Sequence, residues 1–176
     1  MSSNNRRSFI VSIALLLLFA FQSASASIKW VEIGVNGLTC SLCTWSVEKR
    51  LSKLDFIESV SMNLENTEGK VFLKKDVSFD LSSIPKAIKE AGFSVRFVYL
   101  VMDLEKIEID ENNVFKLNDQ SIRWLDFDRK KPQRETKLQL IDAGFLPKKD
   151  SQAWRKKIKS SNSSGIENLF HAISVN

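Results

Sequence analysis

Histidine is nearly absent from this 176-residue chain, which has one, and cysteine stops at two. A four-ligand zinc site therefore lacks donors. General-base chemistry on an imidazole rests on His171 alone, in the last six residues and far in sequence from any evident nucleophile. No Gly-rich phosphate loop and no G-x-S-x-G elbow occurs, so nucleotide hydrolysis and serine-hydrolase chemistry lose their usual sequence marks. Positive charge is in only mild excess, at +5, which does not argue for nucleic acid. No pattern suggests hydrolytic or transfer chemistry, and a protein that is not an enzyme is expected.

One long apolar run is present, at the start. Arg6 and Arg7 precede the segment from Phe9 to Phe21, broken only by Ser12, and Ala24-Ser25-Ala26 supplies small residues of the kind a signal peptidase accepts. Residues 1–26 are expected to be an export leader, removed on the way to a periplasmic or extracellular location. A retained anchor is the alternative, but the run is short for a bilayer and ends in small polar residues. Loss of the leader takes two Arg and no acid, so +5 falls to +3 over about 150 mature residues. That is enough for one ordinary domain or two small ones.

Both cysteines lie in Gly37-Leu38-Thr39-Cys40-Ser41-Leu42-Cys43. An expected strand (Ile28 to Val35) runs into this loop, and a helix is expected from Ser41, with Cys43, Val47, Leu51 and Leu54 on its apolar side. Cys40 then sits in the loop and Cys43 in the first helical turn, where free amides and the positive helix end favour thiolate over thiol. A disulfide across C-x-x-C closes too small a loop to stabilise a fold much, so metal capture or redox chemistry explains the spacing better. Two soft thiolates suit a soft, low-coordinate ion such as Cu(I), and Hg(II) equally.

Val60, Met62 and Leu64, then Val71 and Leu73, alternate as two half-buried strands around Asn66-Thr67-Glu68-Gly69. Leu81, Ile84, Ile88 and Ala91 share a helical face that stops at Gly92, and Pro85 requires that helix to begin near Ser82 or Ser83. Phe93 to Val98 closes the order βαββαβ, a ferredoxin-like arrangement. The G-L-T-C-x-x-C motif in this frame, with Ala91-Gly92-Phe93 before the last strand, resembles the heavy-metal-associated domain of copper chaperones, copper-transporting ATPases and the periplasmic mercury-binding protein. The resemblance covers roughly residues 28–98 and departs at Leu38, where the family usually has Met. It implies Cys40 and Cys43 as metal ligands, Leu38 packed beneath the loop, Phe93 facing the site as a lid or as core, and a metal-donor or metal-acceptor protein as partner.

The pattern changes after Tyr99. Asn113 to Leu117, Ser121 to Phe127 and Thr136 to Ile141 are expected strands, the first two joined by an Asn118-Asp119 turn, and Lys149 to Ile158 is an expected short helix with Trp154 and Ile158 on one side. The fold class is thus α+β: a ferredoxin-like βαββαβ sandwich at 27–98, then a small antiparallel β-rich domain at 99–159, with a flexible tail at 160–176. Asp142-Ala143-Gly144-Phe145 echoes Glu90-Ala91-Gly92-Phe93 but lacks a C-x-x-C and a helical pattern before it, so no repeat is inferred. Met62 and Met102 are expected core fillers, and His171 an exposed bystander near the terminus.

Residues 129–159 carry eleven Lys or Arg against Glu135, Asp142 and Asp150, either a solvated face or a surface for an acidic partner. Residues 103–119 carry six acids against Lys106 and Lys116, and the two stretches are placed to face each other. The expected protein is a monomeric, exported carrier of a soft metal ion with no stable membrane anchor after cleavage. Two alternatives stand beside it: a thiol–disulfide oxidoreductase attacking through Cys40, and an envelope adaptor whose C-x-x-C is oxidised. Thr39 stands where thioredoxin-type sites usually carry Trp, which weighs against the first.

Overall fold

A computed structural model describes residues 27–75, 77–104, 107–130, 135–159 and 168–175. The expected leader lies outside these residues. Alternating apolar residues place β1 at Ser27–Asn36, β2 at Ile57–Asn63 and β3 at Glu68–Leu73, with β4 at Ser94–Asp103. Helices α1 (Ser41–Leu51) and α2 (Ser83–Glu90) connect them, giving the sheet order β2-β3-β1-β4 that a ferredoxin-like fold requires. Val31, Ile33 and Val35 of β1 are fully buried against Val47 and Leu51 of α1 and Ile84 and Ile88 of α2. Arg50 Nε and Glu90 Oε2, 3.4 Å apart, join the two helices at the surface. Such exposed pairs contribute little, about 0–1 kcal/mol, so burial sets the packing.

The sheet does not end at β4. It continues through β7 (Glu135–Leu140), β8 (Leu169–Ser174), β6 (Gln120–Trp124) and β5 (Val114–Leu117), eight strands among the described residues. The expected boundary at Val98 falls inside β4, whose Tyr99 to Asp103 pair with Gln139 to Glu135 of β7. Leu100 and Met102 of β4 lie in one buried cluster with Leu138, Ile122 and Trp124 of the later strands. The extension is mostly antiparallel, as expected, with one parallel pairing between β6 and β8. That pairing arises because the chain leaves β7, forms α3 (Lys148–Lys159), and returns to insert β8 between β7 and β6.

Strand β8 corrects the expected tail over 169–174. A tail reading follows naturally from the Ser-rich stretch before it. The strand is held by Ala172, which is fully buried, and by pairing on both sides. His171 is likewise no bystander. It is 7% exposed, its Nδ1 lies 3.0 Å from Asp142 Oδ1, and its backbone N–H donates to Asp142 Oδ2. Arg129, in the basic stretch, donates to the Asp110 carbonyl in the acidic stretch, and the two segments also meet where Asp103 pairs with Glu135.

Candidate metal centre

Strand β1 delivers the chain to the cysteine loop and α1 carries it away. Gly37 makes the corner at φ +91°, a conformation that side-chain-bearing residues rarely adopt. Leu38 then turns inward and is buried at 5% exposure, joining the core beneath the loop. Cys40 is the N-cap of α1, extended at φ −153° and ψ 161°, and its carbonyl accepts from the Cys43 amide at 3.0 Å and the Thr44 amide at 3.3 Å. Its thiol makes no cap bond and faces solvent. Cys43, in the first turn of the helix, is half-buried against the core.

Of the groups acting on Cys43, the Cys40 side chain does most to lower its thiol pKa, from 9.0 to about 7. The Thr39 backbone N–H acts next in size, and partial burial opposes the shift. The Thr39 hydroxyl, 3.9 Å from the sulfur, and the Cys40 N–H add to the lowering. No acid stands in the first turn of α1, so the positive helix end is left for the sulfurs to use. Cys43 therefore ionises more readily than an ordinary thiol, and both thiols are free.

Donor chemistry limits what this arrangement can hold. Among the described residues no group of three or more His, Cys, Asp or Glu side chains is placed to share a metal. A two-sulfur site suits a soft ion content with two ligands, and fits poorly an ion that demands four. His171 and Asp142 lie in the extension and join no such group; Met102 is buried and Met62 packs on the core, both as expected. Phe93 is half-buried beside the loop: a Cβ on Gly37 would lie 3.6 Å from its Cδ1. It serves as packing for the corner and as a flank of the site at once.

Two residues at the site escaped the sequence reading. Leu42, between the cysteines, is 69% exposed, and Trp45 is 50% exposed with Lys49 Nζ 4.4 Å from its ring centroid. The signal was present: both are large and apolar, three apart, on the helix face away from Cys43, Val47 and Leu51. They leave apolar surface exposed on the helix that follows the cysteine loop.

The segment around this loop has known relatives. Residues 32–94 match the model of the heavy-metal-associated domain. The chain is 31% identical over 80 residues to the mercuric transport protein periplasmic component of Pseudomonas fluorescens, covering 46% of this chain and 87% of that protein. It is 33% identical over 82 residues to copper-transporting ATPase 1 of Rhizobium meliloti (strain 1021), covering 46% of this chain but only 10% of the ATPase. The crystal structure of oxidised MerP from Ralstonia metallidurans CH34 aligns at a TM-score of 0.35 and 30% identity, over 39% of this chain and 97% of that one. This is an α+β protein built on a heavy-metal-associated module. The chain belongs to the heavy-metal-associated domain family, and carries beyond that module the four-strand extension.

Proposed function

We propose that this chain carries a soft metal ion, Cu(I) foremost, on Cys40 and Cys43 outside the cytoplasm, receiving it from or passing it to a partner protein. Hg(II) is the same chemistry with another ion. The observation that carries the reading is the pairing of an exposed Cys40 with a Cys43 whose thiol is lowered to about 7 at a helix start free of acids. Two thiolates bind a soft ion without enclosing it. An incoming thiol can then attack the ion while one sulfur still holds it, so cargo moves without release to water. No bond in a substrate is made or broken under this proposal, and the chain acts as a carrier and not as an enzyme.

Export is proposed from the apolar leader pattern at 1–26 and from the likeness to a periplasmic component. No helix among the described residues is long and apolar enough to cross a membrane. Competition for Cu(I) against a chromophoric chelator tests the proposal, with Cys40→Ser and Cys43→Ser as the deciding variants.

A further inference from the structure

The family module does not complete the surface beside the cysteine loop. Residues 143–148, beyond the matched segment 32–94, approach α2 and the start of β4, and a groove of about 700 Å³ lies between them. Pro85, Phe93 and Leu146 supply an apolar lining, and Lys86, Lys89 and Lys148 supply charge of one sign. Among the described residues no carboxylate lines the groove. Nearby acids are otherwise engaged: Glu90 faces Arg50 at 3.4 Å, and Asp80 is held by the Ser82 and Ser83 hydroxyls, although Lys86 contributes to its field. Lys148 also opens the twelve-residue helix α3, where Asp150 in the first turn takes up the positive helix end, so the lysines alone carry the groove's charge. Through Phe93 the groove adjoins Gly37, so it opens one side chain away from the cysteine loop.

We infer that this groove docks an extended acidic segment of a partner polypeptide, one that places an apolar side chain on the Phe93 and Leu146 lining. Charge complementarity selects the acidic backbone register, and the apolar lining selects against a bare small anion, which would leave it wet. A flat lipid surface meets the lysines but cannot enter a groove. The inference rests on the carrier reading for its purpose, since docking there would hold a partner's metal site beside Cys40. The docking itself needs no thiol.

Fluorescence anisotropy with a labelled ten-residue peptide of alternating Glu and Leu tests this on the full mature chain. Binding is expected to weaken at least tenfold in Lys86→Glu/Lys89→Glu/Lys148→Glu and to fall with added salt. The control Lys53→Glu/Lys116→Glu/Lys156→Glu, with the same change in net charge at exposed positions elsewhere, is expected to bind within about twofold of the parent. Cys40→Ser/Cys43→Ser is expected to bind the peptide as the parent does, which separates this inference from failure of the metal reading. Equal loss in both lysine triples, no peptide binding by the parent, or groove-dependent binding to anionic phosphatidylglycerol vesicles in place of the peptide would each overturn it.

Discussion

Gln120 of β6 accepts the Leu81 amide on its side-chain oxygen at 3.1 Å and donates from its side-chain nitrogen to the Phe79 carbonyl. A single amide from the extension thus satisfies the backbone on the approach to α2, in the family module. Leu81 is fully buried and Gln120 nearly so, which leaves those backbone groups without water if the amide is lost. Gln120→Leu is expected to cost about 1–3 kcal/mol of unfolding free energy, while Gln139→Leu, on the half-buried face of β7, costs about 0.5 kcal/mol or less. Urea denaturation of both variants checks this; equal midpoints would mean that the bridge carries no stability.

Strand β4 sets where the module can be cut. A fragment of residues 27–98 loses the pairing of Val31 with Leu100 and of Ile28 with Met102, together with two fully buried side chains. Each such side chain contributes roughly 1.5–3 kcal/mol of burial. A fragment of residues 27–103 keeps the whole β1–β4 ladder. The longer fragment is expected to melt cooperatively by circular dichroism and the shorter one is not, and matching melts would place the boundary at Val98 after all.

Cys43 gives a pH dependence with a definite sign. Its folded pKa, about 7, lies below the ordinary 9.0, so the folded environment favours the thiolate, and that preference is lost as pH falls through 7. Alkylation of Cys43 by iodoacetamide in the metal-free Cys40→Ser variant is expected to shift its half-point upward, because the largest cause of the lowering has been weakened. Mass-spectrometric rates from pH 5 to 9 read this directly. An unchanged half-point would remove the Cys40 contact from the account.

Carrier and oxidoreductase separate by turnover. If Cys40 and Cys43 serve capture, the reduced protein reduces insulin disulfides no faster than a small dithiol at equal thiol concentration. Turnover comparable with thioredoxin would favour the redox alternative.

The module was legible because its signals are local. The β1 alternation, the C-x-x-C before a helical stripe and the Ser82-Pro85 start of α2 each lie within one element. The extension was half-legible: β5, β6, β7 and α3 follow from periodicity, but their joining to β4 does not, since strand partners distant in sequence leave no local mark. His171 was misplaced for the same reason, as the carboxylate that fixes it is 29 residues away. At the site, the cysteines and Leu38 were readable from the motif, whereas Lys86, Lys89 and Lys148 share a groove only after the fold brings 143–148 to α2.

Cu(I) competition against a chromophoric chelator, on the reduced mature chain, addresses the central claim most directly. One equivalent of Cu(I) per chain is expected to be withdrawn from the chelator, with withdrawal abolished in Cys40→Ser/Cys43→Ser and unchanged in Lys148→Glu/Lys149→Glu/Lys156→Glu/Lys157→Glu. A double cysteine variant that competes as well as the parent would contradict the assignment of this site.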